Sequence, residues 1–341
     1  MRVAQIAPPW FAVPPERYGG IEWVVALLAD GLADRGHETT LYASGGSKTR
    51  AKLVSIFEEP PGGQFIGDPW YDSVQAVSAY QNASDYDIVH DHSGLVGPAI
   101  GSFVDVLVVH TLHGPFTDKA KEFYTLMSGK LWYVAISEAQ RAFCPDLSYA
   151  GTVHNGIKVD LYPFREEKED FLLFLGRVNR EKGPELAVEI AHRTGRKLVM
   201  AVKMAEDFEK EYWRDVVEPR LDGSEEIIGE ITIEEKADLL ARARATLFPI
   251  QWPEPFGLVM TESMASGTPV LAFPYGAAPE VIVDGKTGFL PKTLDEMCEA
   301  VERVDEIKAA DCRRHVEEHF SDDAMVEGYL RCFEKVLAGK V

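Results

Sequence analysis

Short runs of apolar and β-branched residues recur along the chain. Most are followed by a polar loop and then a stretch with apolar positions three and four apart. In the first half, strands are predicted at Val3–Ala7, Thr39–Ala43, Asp87–His90, Val106–His110 and Tyr133–Ile136. In the second half they are predicted at Phe171–Leu175, Leu198–Val202, Glu226–Ile228, Thr246–Pro249 and Pro269–Phe273. Helical spacing covers Ile21–Asp34, Glu185–His192, Ile233–Ala243, Leu258–Ala265, Leu294–Val304 and Asp322–Leu337. Strands that alternate with helices imply parallel sheets covered on both faces, and the near-continuous apolar runs suit strands buried on both sides.

The pattern breaks once. The run IKVDLYPFREEKED, ending at Asp170, is polar and carries Pro163, so it reads as a linker. A chain of 341 residues is long enough for two domains. We therefore expect one domain over 1–157 and a second over 158–321. The last helix has no strand after it, and 322–341 is expected to return to the first domain. Each half opens with a buried strand and a loop holding Pro and Gly. Two doubly wound domains of this kind bind ligands at the carboxyl ends of their strands, and those ends are expected to face each other across a cleft.

Composition narrows the function. Apolar residues make up 46% and charged residues 26%, which excludes fibrous and disordered classes. Thirty-five basic against 55 acidic residues leave a net charge of −20, which argues against nucleic acid as a main partner. No apolar run approaches the ~20 residues of a membrane span. Pro8-Pro9 cuts short the apolar start MRVAQIAPPW, so no signal peptide is expected. The cysteines at 144, 298, 312 and 332 form no C-x-x-C pair, which suits a cytoplasmic protein with neither disulfides nor a zinc knuckle. No basic amphipathic stretch marks the first half, so membrane association is not favoured.

Several segments carry candidate chemistry. Gly19-Gly20 stands directly before a helix, where a backbone can approach an anion closely. The spacing is not that of a dinucleotide fingerprint. SGGSKT at 44–49 lacks P-loop spacing and reads as a surface turn. After the strand FLLFLG come Arg177 and Lys182, two cations able to clamp a diphosphate. After Thr246–Pro249 come Glu254 and, eight residues later on a helix, Glu262. Phe256, Gly257 and Leu258 open that helix and offer backbone N–H groups to an anion. A glutamate facing a ligand site accepts two hydrogen bonds from a vicinal diol such as a ribose. His90, Asp91, His92, His110 and His113 cluster in sequence. Zinc binding is one reading of that cluster. The better one places Asp91 and His92 along an acceptor pocket at the strand ends.

The run E-P-F-G-L-x-x-x-E-x-M-A-x-G-x-P-V resembles the E-x7-E signature of retaining GT-B glycosyltransferases, the glycogen-synthase-like group of family four. Gly19-Gly20, VHNGI at 153–157, LGRVNREKG at 175–183 and GAAPEVIVDGKTGFL at 276–290 agree with that family in the same order, across nearly the whole chain. Lys158 stands where the family usually has Asp, and Ala277 where a second Gly is common.

The resemblance implies an α/β GT-B fold of two Rossmann-like domains, acceptor-side first and donor-side second. It implies transfer of a hexose, glucose or mannose, from a UDP- or GDP-sugar to an acceptor hydroxyl with retention at the anomeric carbon. By position, Arg177 and Lys182 bind the diphosphate and Glu262 the ribose. Glu254 holds the donor sugar, with Phe256, Gly257 and Leu258 nearby. Gly19 and Gly20 approach the phosphates, and His113 lies near the transferred sugar. No metal or other cofactor is expected beyond the nucleotide-sugar co-substrate. The acceptor is a small molecule, a saccharide or a lipid. A sugar-nucleotide epimerase or hydrolase on the same fold is the alternative, and a binding protein without catalysis a further one.

Overall fold

The computed structural model describes every residue except Arg17, Tyr18, Lys340 and Val341. The chain forms two compact units, Met1–Ile157 with Asp322–Val341, and Lys158–Ser321. In the first, strands β1 (Arg2–Ile6), β2 (Glu38–Tyr42), β3 (Lys52–Val54), β4 (Ile88–Asp91), β5 (Leu107–Leu112), β6 (Trp132–Ala135) and β7 (Tyr149–Thr152) form one sheet. Its order is β3-β2-β1-β4-β5-β6-β7, and every pairing is parallel. Helices α1 (Gly20–Asp34), α2 (Pro69–Tyr80), α3 (Val96–Gly101), α4 (Asp118–Met127) and α5 (Glu138–Arg141) connect them.

In the second unit, β8 (Phe171–Arg177), β9 (Lys197–Lys203), β10 (Glu226–Ile228), β11 (Ala245–Phe248), β12 (Val270–Ala272) and β13 (Gly288–Phe289) pair in parallel in the order β10-β9-β8-β11-β12-β13. Its helices are α6 (Pro184–Thr194), α7 (Asp207–Tyr212), α8 (Ile233–Arg242), α9 (Leu258–Ala265), α10 (Ala278–Val281), α11 (Leu294–Arg303) and α12 (Ala309–His319). The chain ends in α13 (Asp322–Leu337). Strand order reverses between β1 and β4 in one sheet and between β8 and β11 in the other, the switch points at which such sheets take ligands.

The ten expected strands form, with ends shifted by a residue or two. The edge strands β3, β7 and β13 were not expected from the pattern. They are two to four residues long, and only pairing with a neighbour defines them. Helices α2, α4 and α12 were also missed, since polar residues on their exposed faces dilute the apolar period.

Helix α13 closes the core of the first unit. Its Met325, Val326, Tyr329 and Phe333 pack with Val3, Val24, Leu28 and Leu32. Gly31 on α1 permits this approach, because a Cβ there would lie 2.5 Å from Val326 Cγ2.

One expectation needs correction here. The 158–170 run is a strap packed on the second unit rather than a linker: Val159 and Tyr162 are buried, and Lys168 Nζ donates to Ala241 O, Ser266 O and Thr268 Oγ1. Its charges and proline gave it linker composition, but its few apolar side chains and one lysine find partners inside. The 44–49 segment is the expected surface turn, with Gly46 and Lys48 exposed, and it is tied down on its inner side. Ser44 is buried and donates to Pro9 O, Ser47 Oγ accepts from Val13 N–H, and Lys48 N–H donates to Val13 O. The segment clamps the loop that follows β1.

Arg313 holds the strap by donating from Nη1 to Val159 O (3.3 Å), Tyr162 O (2.9 Å) and Ala265 O (2.9 Å). Arg313→Ala leaves these carbonyls without that donor and should cost about 1.5–3 kcal/mol of stability, read as a lower urea midpoint with unchanged slope.

Candidate active site

In the second unit, the site residues leave the carboxyl ends of β8 and β11. Arg177 ends β8, and its Nε donates to Glu209 Oε1 at 2.6 Å. Glu209 is fully buried and also accepts from the amides of Ala205 and Glu206 at the start of α7. The guanidinium is thus oriented by a fixed carboxylate. Lys182 lies in the following loop. Gly183, with φ +67°, ends that loop, and a Cβ there would stand 2.4 Å from Pro249 O. That close approach brings Lys182 Nζ to Glu254 Oε2 at 2.5 Å, with Trp252 Nε1 donating to the same oxygen at 2.9 Å. Gly276, at φ +56°, cradles the Glu254 backbone, and a side chain there would strike Glu254 O and N. Ala277 follows at φ −79°, where any residue fits, so the departure from Gly changes nothing in the backbone.

Gly257, left-handed at φ +85°, is the N-cap residue of α9 and brings no side chain of its own to that end. Phe256 beside it is buried and Leu258 begins the first turn. One turn on, Glu262 is 7% exposed. Its Oε1 accepts from Tyr162 Oη at 2.8 Å and from Lys236 Nζ at 2.6 Å. Burial and the Glu262 charge push the Tyr162 hydroxyl far up, so it stays a donor.

In the first unit, Gly19 is the residue before α1. A Cβ there would meet Pro15 Cγ at 2.7 Å and Glu22 Oε2 at 2.8 Å. Gly20 is the first residue of α1. The loop between Glu16 and Gly19 lies outside the described residues. Glu22, buried in the first turn, is raised by its burial to about 7.

His113 follows β5. Gln140 Nε2 donates to Leu112 O and Gly114 O, both at 2.8 Å, and so pins the backbone on either side of it. His113 Nε2 lies 2.9 Å from His92 Nδ1, and His92 Nε2 lies 3.0 Å from Gln5 Oε1. Burial, then the neighbouring His110, pulls His113 down to about 3, and burial holds His90 and His92 well below the usual range. All three rings are neutral near pH 7.

Asp91 and His92 do not line a pocket. They are 0% and 1% exposed. Asp91 accepts from Tyr80 Oη and Ser93 N–H, both at 2.7 Å. They are held inside because β4 runs through the centre of the sheet, and they stand behind His113. The histidine cluster does not converge on a metal either. Among the described residues, the one group of three such donor atoms within 4.8 Å is His192, Asp222 and Glu225, on the second unit.

Sequence reasoning missed Glu209, Tyr162, Lys236, Gln5 and Gln140. Each reaches its partner from another segment, so no local spacing marks it. Glu209 alone left a trace, as the third residue of the α7 capping box.

The second unit, a parallel α/β unit, thus gathers two cations and two glutamates about the carboxyl ends of β8 and β11. Residues 18–160 match the model described as Glycosyltransferase Family 4, and residues 163–319 match Glycosyl transferases group 1. The chain belongs to the family 4 glycosyltransferases of GT-B fold. It is 30% identical over 264 residues to a glycogen synthase of Mycobacterium tuberculosis (strain CDC 1551 / Oshkosh), covering 67% of this chain and 62% of that protein, so the match spans less than two thirds of the relative. It is 25% identical over 329 residues to a phosphatidyl-myo-inositol mannosyltransferase of Mycolicibacterium smegmatis, covering 85% and 80%. The crystal structure of AviGT4, a glycosyltransferase involved in avilamycin A biosynthesis, superposes with a TM-score of 0.73 at 29% identity, over 99% of this chain and 98% of that one.

Glu22 yields a pH prediction. Its folded pKa stands above the ordinary 4.5, so the native state keeps a proton that the unfolded chain releases. The contribution of Glu22 to stability is fully present below about 4.5 and is lost as pH rises through about 7, by on the order of 3 kcal/mol at most. Glu22→Gln should flatten urea-unfolding stability across that window; an unchanged slope would assign the proton elsewhere.

Proposed function

We propose that this chain transfers a hexosyl group from a UDP- or GDP-sugar to an acceptor hydroxyl, with retention at the anomeric carbon. The second unit serves the donor and the first the acceptor. The observation that carries this is the pair of oriented cations at the carboxyl end of β8, Lys182 against Glu254 and Arg177 against Glu209, with the glycine-led N-terminus of α9 following Glu254.

The cations and the α9 amides take up charge that builds on the departing diphosphate, so no divalent metal is required. Glu262 binds the ribose through Oε2, since both of its contacts among the described residues fall on Oε1. Glu254 holds sugar hydroxyls while steadying Lys182. His113, neutral, acts on the sugar as a hydrogen-bonding partner rather than as an acid. The leaving phosphate accepts the proton of the acceptor hydroxyl as the new bond forms on the same face. The names of the relatives point to glucosyl and mannosyl chemistry, and to glucan and lipid-linked inositol acceptors for those proteins.

Arg177→Ala and Lys182→Ala should each weaken UDP or GDP binding by about 1.5–3 kcal/mol in calorimetry. Glu262→Gln should weaken free nucleotide binding. Glu254→Gln should mainly lower turnover, and equal affinity losses in the two glutamate variants would remove the division of roles. Stereochemistry is the direct test: NMR of the first product from an α-linked donor should show an α linkage. A β linkage would overturn retention, and donor consumption without a glycosidic product would favour the hydrolase or epimerase.

A further inference from the structure

An aromatic shelf on the first unit has no part in the site above. Tyr71 is its hub, with ring centroids 4.9 Å from Trp70, 5.1 Å from Phe65, 5.4 Å from Phe57 and 6.2 Å from Trp10. Trp70 is 59% exposed, and Ile56, Phe65 and Ile66 are exposed beside it. A contiguous apolar patch of this kind is ordinarily a surface for binding.

Its position is informative. Trp70 and Tyr71 open α2, and Gln75 on the same helix donates to Ala7 O and Tyr42 O, just past β1 and at the end of β2. Asp72 Oδ2 would stand 3.4 Å from a Cβ at Gly94, in the loop after β4. The shelf therefore borders the sheet edge from which His113 emerges one strand away. Asp72 Oδ1 and, in the same β4 loop, the nine-tenths-buried Ser93 Oγ have no hydrogen-bond partner, and such groups are costly to leave unpaired.

Charge selects the ligand. From Leu53 to Asp118 the sequence has no Lys or Arg and nine Asp or Glu residues. That stretch builds the rest of the shelf around Trp10, together with α2, β4, α3, β5 and the His113 loop. The α2 N-terminus is satisfied by its own Asp68, which accepts from Trp70 N–H at 2.9 Å, so it offers little to an anion. On the loop after β2, Arg50 is paired with Asp30 and Asp34, while Lys48 is exposed. Phosphate recognition rests on Arg, Lys or open amides, and among the described residues this surface is poor in all three. Glu58, Glu59 and Asp68 likewise repel an anionic bilayer.

We propose that this shelf is a subsite for an uncharged, hydroxyl-rich saccharide acceptor that carries no phosphate. The C–H face of a pyranose stacks on Trp70 and Tyr71, and sugar hydroxyls donate to the Asp72 carboxylate. The placement in catalysis rests on the transferase reading above; the binding chemistry does not.

The test uses the full chain without donor, with maltotriose, glucose and glucose 6-phosphate as probes in saturation-transfer NMR and tryptophan fluorescence. Maltotriose should bind, and glucose 6-phosphate should bind about tenfold more weakly than glucose at low salt. Trp70→Ala and Asp72→Asn should each weaken maltotriose binding about fivefold or more at unchanged melting temperature. Phe103→Ala removes an aromatic that is 90% exposed away from the shelf and should change nothing. Tighter binding of glucose 6-phosphate, its loss in Lys48→Ala, or full retention of maltotriose in Trp70→Ala would overturn the proposal. So would Trp70-dependent binding to phosphatidylserine vesicles, which would make the patch a membrane contact. If maltotriose binds at Trp70 while no nucleotide sugar is bound or consumed, the transferase reading falls and the saccharide site stands. If donor is consumed only with phosphorylated acceptors, the reverse holds.

Discussion

A parallel sheet covered on both faces has room for polar chemistry only at its ends. Its backbone groups are spent in the ladder, and its side chains face helices on either side. Both units obey this constraint. Arg177, Lys182 and Glu254 leave the carboxyl ends of β8 and β11; Gly19 and His113 follow β1 and β5. The flanking strands determine where each loop begins, and glycine determines how closely two loops meet. Gly183 against Pro249 O and Gly276 against the Glu254 backbone leave no space for a Cβ.

Behind several of the functional groups stands a partner that limits their motion. Glu209 holds Arg177, Tyr162 and Lys236 share one oxygen of Glu262, and Gln140 and His92 hold His113 by backbone and ring. These partners cost desolvation, which their hydrogen bonds offset. They restrict each reacting group to a narrow range of positions before a ligand arrives.

Charge is divided in the same spirit. The chain carries −20, yet in the second unit Arg177 and Lys182 each stand against a carboxylate at the carboxyl end of β8. The first unit does the opposite over Leu53–Asp118, a stretch that holds no Lys or Arg and builds most of the aromatic shelf. The two units thus differ in where lysine and arginine are placed, whatever the net field of the protein.

Much of this was legible in the sequence because it is local. Apolar runs marked ten of the thirteen described strands, helical spacing marked α1, α6, α8, α9, α11 and α13, and the E-x7-E segment with its companion motifs marked the family. Burial on both faces writes itself into consecutive residues, and a ligand loop must carry its glycines and charges in order. What tertiary structure alone decided is non-local. The edge strands β3, β7 and β13 exist only through pairing, and the 158–170 strap looked like a linker until Arg313 and Lys168 were seen to bind it down. Asp91 and His92 looked like pocket residues until the sheet placed them at its centre. Glu209, Tyr162, Lys236 and Gln140 lie between 26 and 100 residues from the groups they hold. Separations of that size leave no trace in local spacing, because a side chain's partner is chosen by the path of the folded backbone and not by its neighbours in sequence.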